Sequence, residues 1–222
     1  MIVRPTDPVT QAILDAVCAA REGRSGPLLI ALDGPCGAGK STAAAAVATA
    51  IPAVIVPSDD FFAADITSAE WDARSAPERA RDAIDWRRLR RDALEPLRAG
   101  QPAAWQPFDF ESGERPDGTY GMSATLVRRE PAPLIIVEGA YSTRPELADL
   151  IDLSLLIDAP ADVRERRLAA REAAAFLLAW HARWDGAEAF YFAHVRPRSA
   201  FDLIVNTSDL LPRSAGREID HR

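Results

Sequence analysis

The residues most able to do chemistry lie at 34–41, Gly34-Pro35-Cys36-Gly37-Ala38-Gly39-Lys40-Ser41, and Lys40 is the only lysine among 222 residues. The pattern G-x-x-x-x-G-K-[ST] folds into a loop whose backbone N–H groups surround phosphate oxygens, while the lysine reaches toward the β- and γ-phosphates. A compact ammonium fits there and a planar guanidinium does not, so a chain that uses Arg everywhere else keeps one Lys here. The Ser41 hydroxyl is placed to hold Mg²⁺, and Thr42 carries the loop into the next element. ATP and Mg²⁺ are the expected cofactors.

Phosphoryl transfer also needs a group that orients the attacking hydroxyl and positive charge that compensates the moving phosphate. Asp59-Asp60 and Glu138 each close an apolar run. One of Asp59 or Asp60 could take the proton of a substrate hydroxyl, and Glu138 could hold the water shell of the metal. The plainer readings are a cap for the paired Asp and an ordinary solvated strand-end acid for Glu138. Arg164, Arg167 and Arg171 share one helical face while Arg166 points away. Such a face could close over nucleotide phosphates through bidentate contacts; it could equally be a solvated face paired with Asp162, Glu165 and Glu172.

These groups need elements to hold them. Residues 27–33 form a short apolar run that reads as a buried strand, and the Ala-rich stretch 42–50 is a strong helix former. Strand, glycine loop, helix is the context the phosphate motif requires, and a helix N-terminus adds its own attraction for anions. Further strands are predicted at 53–57, 134–139, 153–158 and 201–205. Helical spacing predicts a helix over 8–21, one over 85–97 closed by Gly100, and a long helical region over 161–195. Residues 63–82 read as loop with short helix, and 101–121 as a loop or small hairpin. Strands alternating with helices imply a parallel sheet covered on both faces, with ligands beyond the carboxyl ends of its strands.

The expected fold class is therefore α/β, three layers around a parallel sheet of about five strands. A single domain would span 1–222, with a substrate-binding insertion over about 63–125, an Arg-rich lid over about 161–175 and a polar tail at 212–222. Hydrophobic content of 48% and charged content of 27% are those of a globular chain. A net charge of −7 argues against a general nucleic-acid binder. The two cysteines, Cys18 and Cys36, form neither a disulfide framework nor a metal-ligand spacing. No signal pattern and no apolar run of ~18 residues occurs, so a cytoplasmic protein without a membrane partner is expected. Homo-oligomerisation is not readable from these residues.

Taken together, the segments resemble the uridine kinase family of P-loop nucleoside kinases, whose relatives include phosphoribulokinase and pantothenate kinase. The phosphate loop matches. Ser58-Asp59-Asp60-Phe61-Phe62 resembles the D-S-F-Y segment of the family, and the resemblance implies that Asp59 is the catalytic base. Asp82-Ala83-Ile84-Asp85-Trp86 resembles D-A-F-D, and Pro107-Phe108-Asp109-Phe110 followed by Arg115 resembles the substrate segment P-x-Y-D-F-x-x-H-x-R. Val137-Glu138-Gly139 resembles the strand end whose Glu binds Mg²⁺, and the arginines from Arg164 to Arg171 resemble the lid. Pro197 with Phe201-Asp202-Leu203-Ile204 resembles the closing strand. The resemblance runs in order from about residue 28 to 206.

Three departures fall on the acceptor side. The His that reads the pyrimidine edge is Gly113, the Tyr of the substrate segment is Phe108, and the F-D-H-P segment is replaced by Pro77-Glu78-Arg79-Ala80-Arg81, where Glu78 is the available carboxylate. The resemblance implies a P-loop NTPase fold and an ATP-dependent phosphotransferase acting on a hydroxyl of a small nucleoside-like or sugar-like molecule. In that reading Asp59, Lys40, Arg167 and Arg171 are catalytic. Residues 34–42 with Arg164 bind the nucleotide; Asp60, Phe61, Phe108, Asp109 and Arg115 bind the acceptor; Ser41 and Glu138 hold the metal. The rival reading is a regulatory ATPase or nucleotide switch that acts through a protein partner.

Overall fold

Asp7 starts the first element by accepting the N–H of Thr10 at 2.9 Å, with Pro8 in the first turn, so helix α1 runs Pro8–Arg21. The computed structural model describes residues 7–208; the tail expected at 212–222 lies outside the described residues. Strand β1 (Leu28–Asp33) leads through the glycine loop into α2 (Lys40–Ala50), and β2 (Ala53–Pro57) ends in a 3-10 turn, Ser58–Phe61. Then come α3 (Ser68–Ala73), α4 (Ala76–Asp82), and α5 (Trp86–Leu89), which passes through a π turn, Arg90–Leu94, into α6 (Glu95–Arg98). Four short strands follow: β3 (Ala103–Trp105), β4 (Phe108–Glu114), β5 (Tyr120–Met122) and β6 (Val127–Arg129). The chain closes with β7 (Leu134–Glu138), β8 (Leu153–Asp158), α7 (Ala161–Arg171), α8 (Ala174–Phe190) with a π turn Tyr191–Val195, and β9 (Leu203–Asn206).

Five strands form one parallel sheet in the order β2-β7-β1-β8-β9. Every residue of β1 and of β7 is buried, which is why both read as unbroken apolar runs rather than alternating ones. The two faces divide by the period of two: Leu29 and Ala31 face one core with Trp71, Leu94 and Trp184, while Leu28, Ile30 and Leu32 face the other with Ile13 and Val47 of α1 and α2. No described helix is long and apolar enough to cross a membrane.

Several boundaries differ from the sequence reading. Residues 63–82 hold two helices, each opened by a capping box, Thr67 with Glu70 and Ser75 with Glu78. Glu78 accepts the N–H and hydroxyl of Ser75 at 2.8 and 2.6 Å, so it closes its own helix. The helix over 85–97 widens into a π turn ahead of Pro96, whose missing N–H and ring disturb the turn before it. The long region 161–195 is two helices, since Glu172 is extended; the helix expected to form the lid thus ends at Arg171. Residues 101–129 make two small antiparallel pairs, β3 with β6 and β4 with β5.

Candidate active site

The phosphate loop leaves β1 at Gly34, where φ is +150° and an added Cβ would sit 2.0 Å from the carbonyl oxygen of Ile157. Only glycine fits there. The N–H groups of Gly37, Gly39, Lys40, Ser41 and Thr42 meet no acceptor among the described residues, so they form an open ring of donors at the start of α2. Lys40 Nζ donates to the carbonyls of Gly34 and Pro35 at 2.8 and 3.0 Å, which holds the ammonium at the first half of the loop.

Ser41 Oγ lies 3.1 Å from both Glu138 oxygens, so loop and β7 end on each other. Burial first, then the charge of Asp59, pushes the Glu138 carboxyl up to about 7, while Lys40 and the Ser41 hydrogen bond work against that rise. Among the described residues no cluster of three or more acidic, His or Cys side chains is arranged for a metal. A hydroxyl and one carboxylate still suit Mg²⁺, a hard cation that keeps several waters and binds few protein ligands beside phosphates.

Asp59 and Asp60 part company in the 3-10 turn. Asp60, expected to bind the acceptor, accepts the Trp105 indole N–H at 2.7 Å and its backbone carbonyl takes Arg88 at 2.9 Å, so it is tied to the insertion. The Asp59 side chain keeps an exposed edge and receives no hydrogen bond from a described residue, while the surrounding protein desolvates its carboxylate. That burial raises its pKa; Lys40 and Arg171 pull it down and Asp60 pushes it up. Phe61, expected in the acceptor pocket, is fully buried against Trp105 with the Arg88 guanidinium over its ring. The tight turn sends its side chain into the core and hands the outward position to Phe62.

Arg164 and Arg167 reach the loop from α7 on its carbonyl side. Arg164 donates to Cys36 O at 3.3 Å, and Arg167 to Gly37 O at 3.3 Å and to Thr207 O at 2.6 Å. Carbonyls facing outward turn the N–H groups inward, so in this structure both arginines brace the loop rather than lie over a phosphate. Arg171 pairs with Glu172 at 2.7 Å, half-exposed, with its charge felt at Asp59 and Cys36.

No protein-family model matches the chain. Over 137 residues it is 29% identical to uridine kinase of Borrelia garinii subsp. bavariensis, a stretch covering 61% of this chain and 63% of that protein, less than two thirds of its length. A structure described as a possible uridine kinase from Bacillus stearothermophilus superposes with a TM-score of 0.67 at 17% identity, covering 89% of this chain and 97% of that one. A second, described as a kinase of a fructose transport system from a Silicibacter species, gives 0.62 at 25% identity, covering 88% and 98%. The fold is that of the P-loop kinases.

Within this P-loop kinase fold, the segment expected to bind the acceptor carries a cluster of aromatic rings. The Phe62 ring lies 5.1 Å from Phe108, 6.2 Å from Phe110 and 5.3 Å from Trp184, and Phe110 is 54% exposed. Asp109 is half-buried and caps its own turn, accepting the N–H groups of Glu111 and Ser112 at 3.0 and 3.1 Å. Arg115 sits with it in the β4–β5 hairpin, where its N–H meets Thr119 O at 2.8 Å. Neither is drawn to Asp59. At Gly113, in the same hairpin, nothing lies within 4 Å of an added Cβ, so the position that departs from the family pattern is open space.

Three residues of this site carried no assigned role in the sequence reading. Asp33, fully buried, joins the loop to the segment after β7. Tyr141 holds a left-handed φ of 65° beside it, and its hydroxyl is pushed up by burial and by the charges of Glu188, Asp33, Cys36 and Asp59. Glu188 of α8 accepts the Cys36 N–H at 2.7 Å. An acid at the last position of the strand entering the loop was a readable signal for Asp33. Nothing local marked Glu188, which comes from 152 positions away.

Proposed function

We propose that this chain is an ATP- and Mg²⁺-dependent kinase that transfers the γ-phosphoryl group to a hydroxyl of a small nucleoside-like or sugar-like molecule. The observation that carries this reading is Asp59: a partly exposed carboxylate that receives no hydrogen bond from a described residue and is electrostatically coupled to the only lysine of the chain. Asp60, by contrast, accepts the Trp105 indole N–H through Oδ2, which fixes its carboxylate against the insertion.

In the proposed reaction the acceptor hydroxyl gives its proton to Asp59, and its oxygen bonds to the γ-phosphorus. The bond from that phosphorus to the β–γ bridging oxygen breaks, and ADP leaves. Lys40 and the open N–H groups of the loop compensate the charge that builds on the departing phosphate. Ser41 and Glu138 would hold Mg²⁺, which when bound would supply further neutralisation of the phosphate charge. The raised pKa of Asp59 supports a base role, since proton transfer is most effective when the base titrates near the working pH. The rings of Phe62, Phe108 and Phe110 support an acceptor with a flat or apolar face.

The test is purified protein with ATP, Mg²⁺ and a panel of nucleosides, sugars, pantothenate and amino-alcohols. At least one compound should raise ADP release above the rate with ATP alone. If none does, or if Asp59→Asn keeps full turnover, the reading fails; slow hydrolysis indifferent to every acceptor would favour a regulatory ATPase.

A further inference from the structure

One N–H of the phosphate loop is already held by an anion. Cys36 N–H donates to Glu188 Oε2 at 2.7 Å. The other oxygen of Glu188 lies 3.5 Å from Arg164 Nη1, and that same nitrogen donates to Cys36 O at 3.3 Å. Carboxylate, guanidinium and loop thus form a closed triangle between α7 and α8.

Cys36 marks the γ end of the loop. The Lys40 ammonium rests on the two carbonyls just before it, and the lysine of this motif serves the β- and γ-phosphates. The charges of Lys40, Glu188, Arg171 and Asp59 all converge on the Cys36 thiol. Of the carboxylates gathered there, Asp59 and Glu138 have tasks in the proposed chemistry; Glu188 has none, although only 20% of its side chain is exposed. A γ-phosphate arriving beside Cys36 meets a resident negative charge in a poorly solvated place, where like charges repel strongly. A diphosphate, whose last phosphate sits deeper in the ring of N–H groups, does not. A cavity of about 530 Å³ borders Glu188, Pro35, Arg164 and His181, which gives a displaced carboxylate room to turn away.

We propose that Glu188 is a donor-specificity residue: it occupies the Cys36 N–H while the site is empty or holds ADP, and ATP must displace it, taking over Arg164 as its own phosphate ligand. The lid arginine therefore engages only when a γ-phosphate is present. This rests on the reading above that ATP fills the loop.

Calorimetric titration of the full chain with Mg-ADP and a non-hydrolysable Mg-ATP analogue separates the two ideas. Glu188→Gln keeps an acceptor for the Cys36 N–H and removes the charge, so it should tighten the analogue roughly ten-fold and leave ADP within about two-fold. Glu188→Ala should move in the same direction, and Arg164→Ala should weaken the analogue roughly ten-fold with ADP little changed. An analogue-to-ADP ratio unmoved by Glu188→Gln, or both nucleotides weakened equally by Glu188→Ala with Glu188→Gln unchanged, would mean a simple brace and overturns the proposal alone. A wild-type protein that binds neither nucleotide overturns it together with the kinase reading. Thermal unfolding of each variant shows that it is folded, and Glu188→Gln decides if Glu188→Ala is not.

Discussion

Tyr191 Oη donates to Asp33 Oδ2 at 2.8 Å in the closed interior of the protein. The same oxygen takes the N–H and hydroxyl of Thr143 at 2.9 and 2.6 Å, while Oδ1 takes the N–H groups of Gly34 and Tyr141 at 2.7 and 3.0 Å. One carboxylate, with no cation among these partners, therefore joins the start of the phosphate loop, the segment after β7 and the π turn of α8. A buried charge is tolerable when donors saturate it, and losing one of them leaves it under-solvated. Tyr191→Phe should cost about 1.5–3 kcal/mol, the range for hydrogen bonds to a charged group, read from urea unfolding. Asp33→Asn should be worse, because its NH₂ would face N–H donors, and it should also weaken ADP binding by freeing Gly34.

Asp59→Asn should lower kcat by roughly 10²–10⁴-fold, the usual worth of a general base, while the dissociation constant of ADP stays near that of the wild type. The pH profile adds a sign. A base works deprotonated, and burial raises the Asp59 pKa, so kcat/KM should begin to fall on acidification at a higher pH than an ordinary carboxylate near ~4 would give. An acid limb centred at ~4 or below argues against Asp59 as the base.

Two phenylalanines should behave oppositely. Phe61→Ala empties a fully buried ring site beside Trp105 and should destabilise by about 3–5 kcal/mol. Phe110 is 54% exposed, so Phe110→Ala should change stability by less than about 1 kcal/mol and act on the KM of the acceptor. Equal loss of stability in both would place Phe110 in the core instead of the cleft.

At the far end of the sheet, Asp152 pairs with Arg24 and Arg98 and accepts the Leu29 N–H at 2.9 Å. Burial alone would raise its pKa, but Arg98, the Leu29 N–H and Arg24 outweigh it and the carboxyl titrates below its ordinary value. The unfolded chain then binds the proton more readily than the folded one. This contribution to stability is present above the unfolded value of ~3.9 and is lost as pH falls through the lower folded pKa. Unfolding midpoints taken below pH ~4 should fall less steeply for Asp152→Asn than for the wild type.

What is local in this chain and what is tertiary divide along one line. Where a residue acts through its own chain neighbours, it was legible. The spacing of Gly34, Gly39 and Lys40 makes the loop, and the apolar runs at 53–57 and 153–158 coincide with β2 and β8. Parallel pairing followed from their alternation with helices. Where direction depends on a single turn, it was not. Phe61 and Phe62 are adjacent and equally aromatic, and only the 3-10 geometry of Ser58–Phe61 buries one and turns the other toward Phe108.

The arginines show the same limit from another side. Helical spacing put Arg164 and Arg167 on one face, and they share it, but spacing says nothing of whether that face meets phosphates or loop carbonyls. The docking of α7 against Cys36 and Gly37 decided this. Read alone, the amino-acid sequence determined the phosphate loop, its lone lysine and the parallel sheet behind it, because backbone preference and hydrophobic period are local properties. Tertiary structure alone decided that Tyr141 and Glu188 join Asp33 in the same site. Hydrogen bonds between residues more than a hundred positions apart exist only after the sheet has brought their elements together.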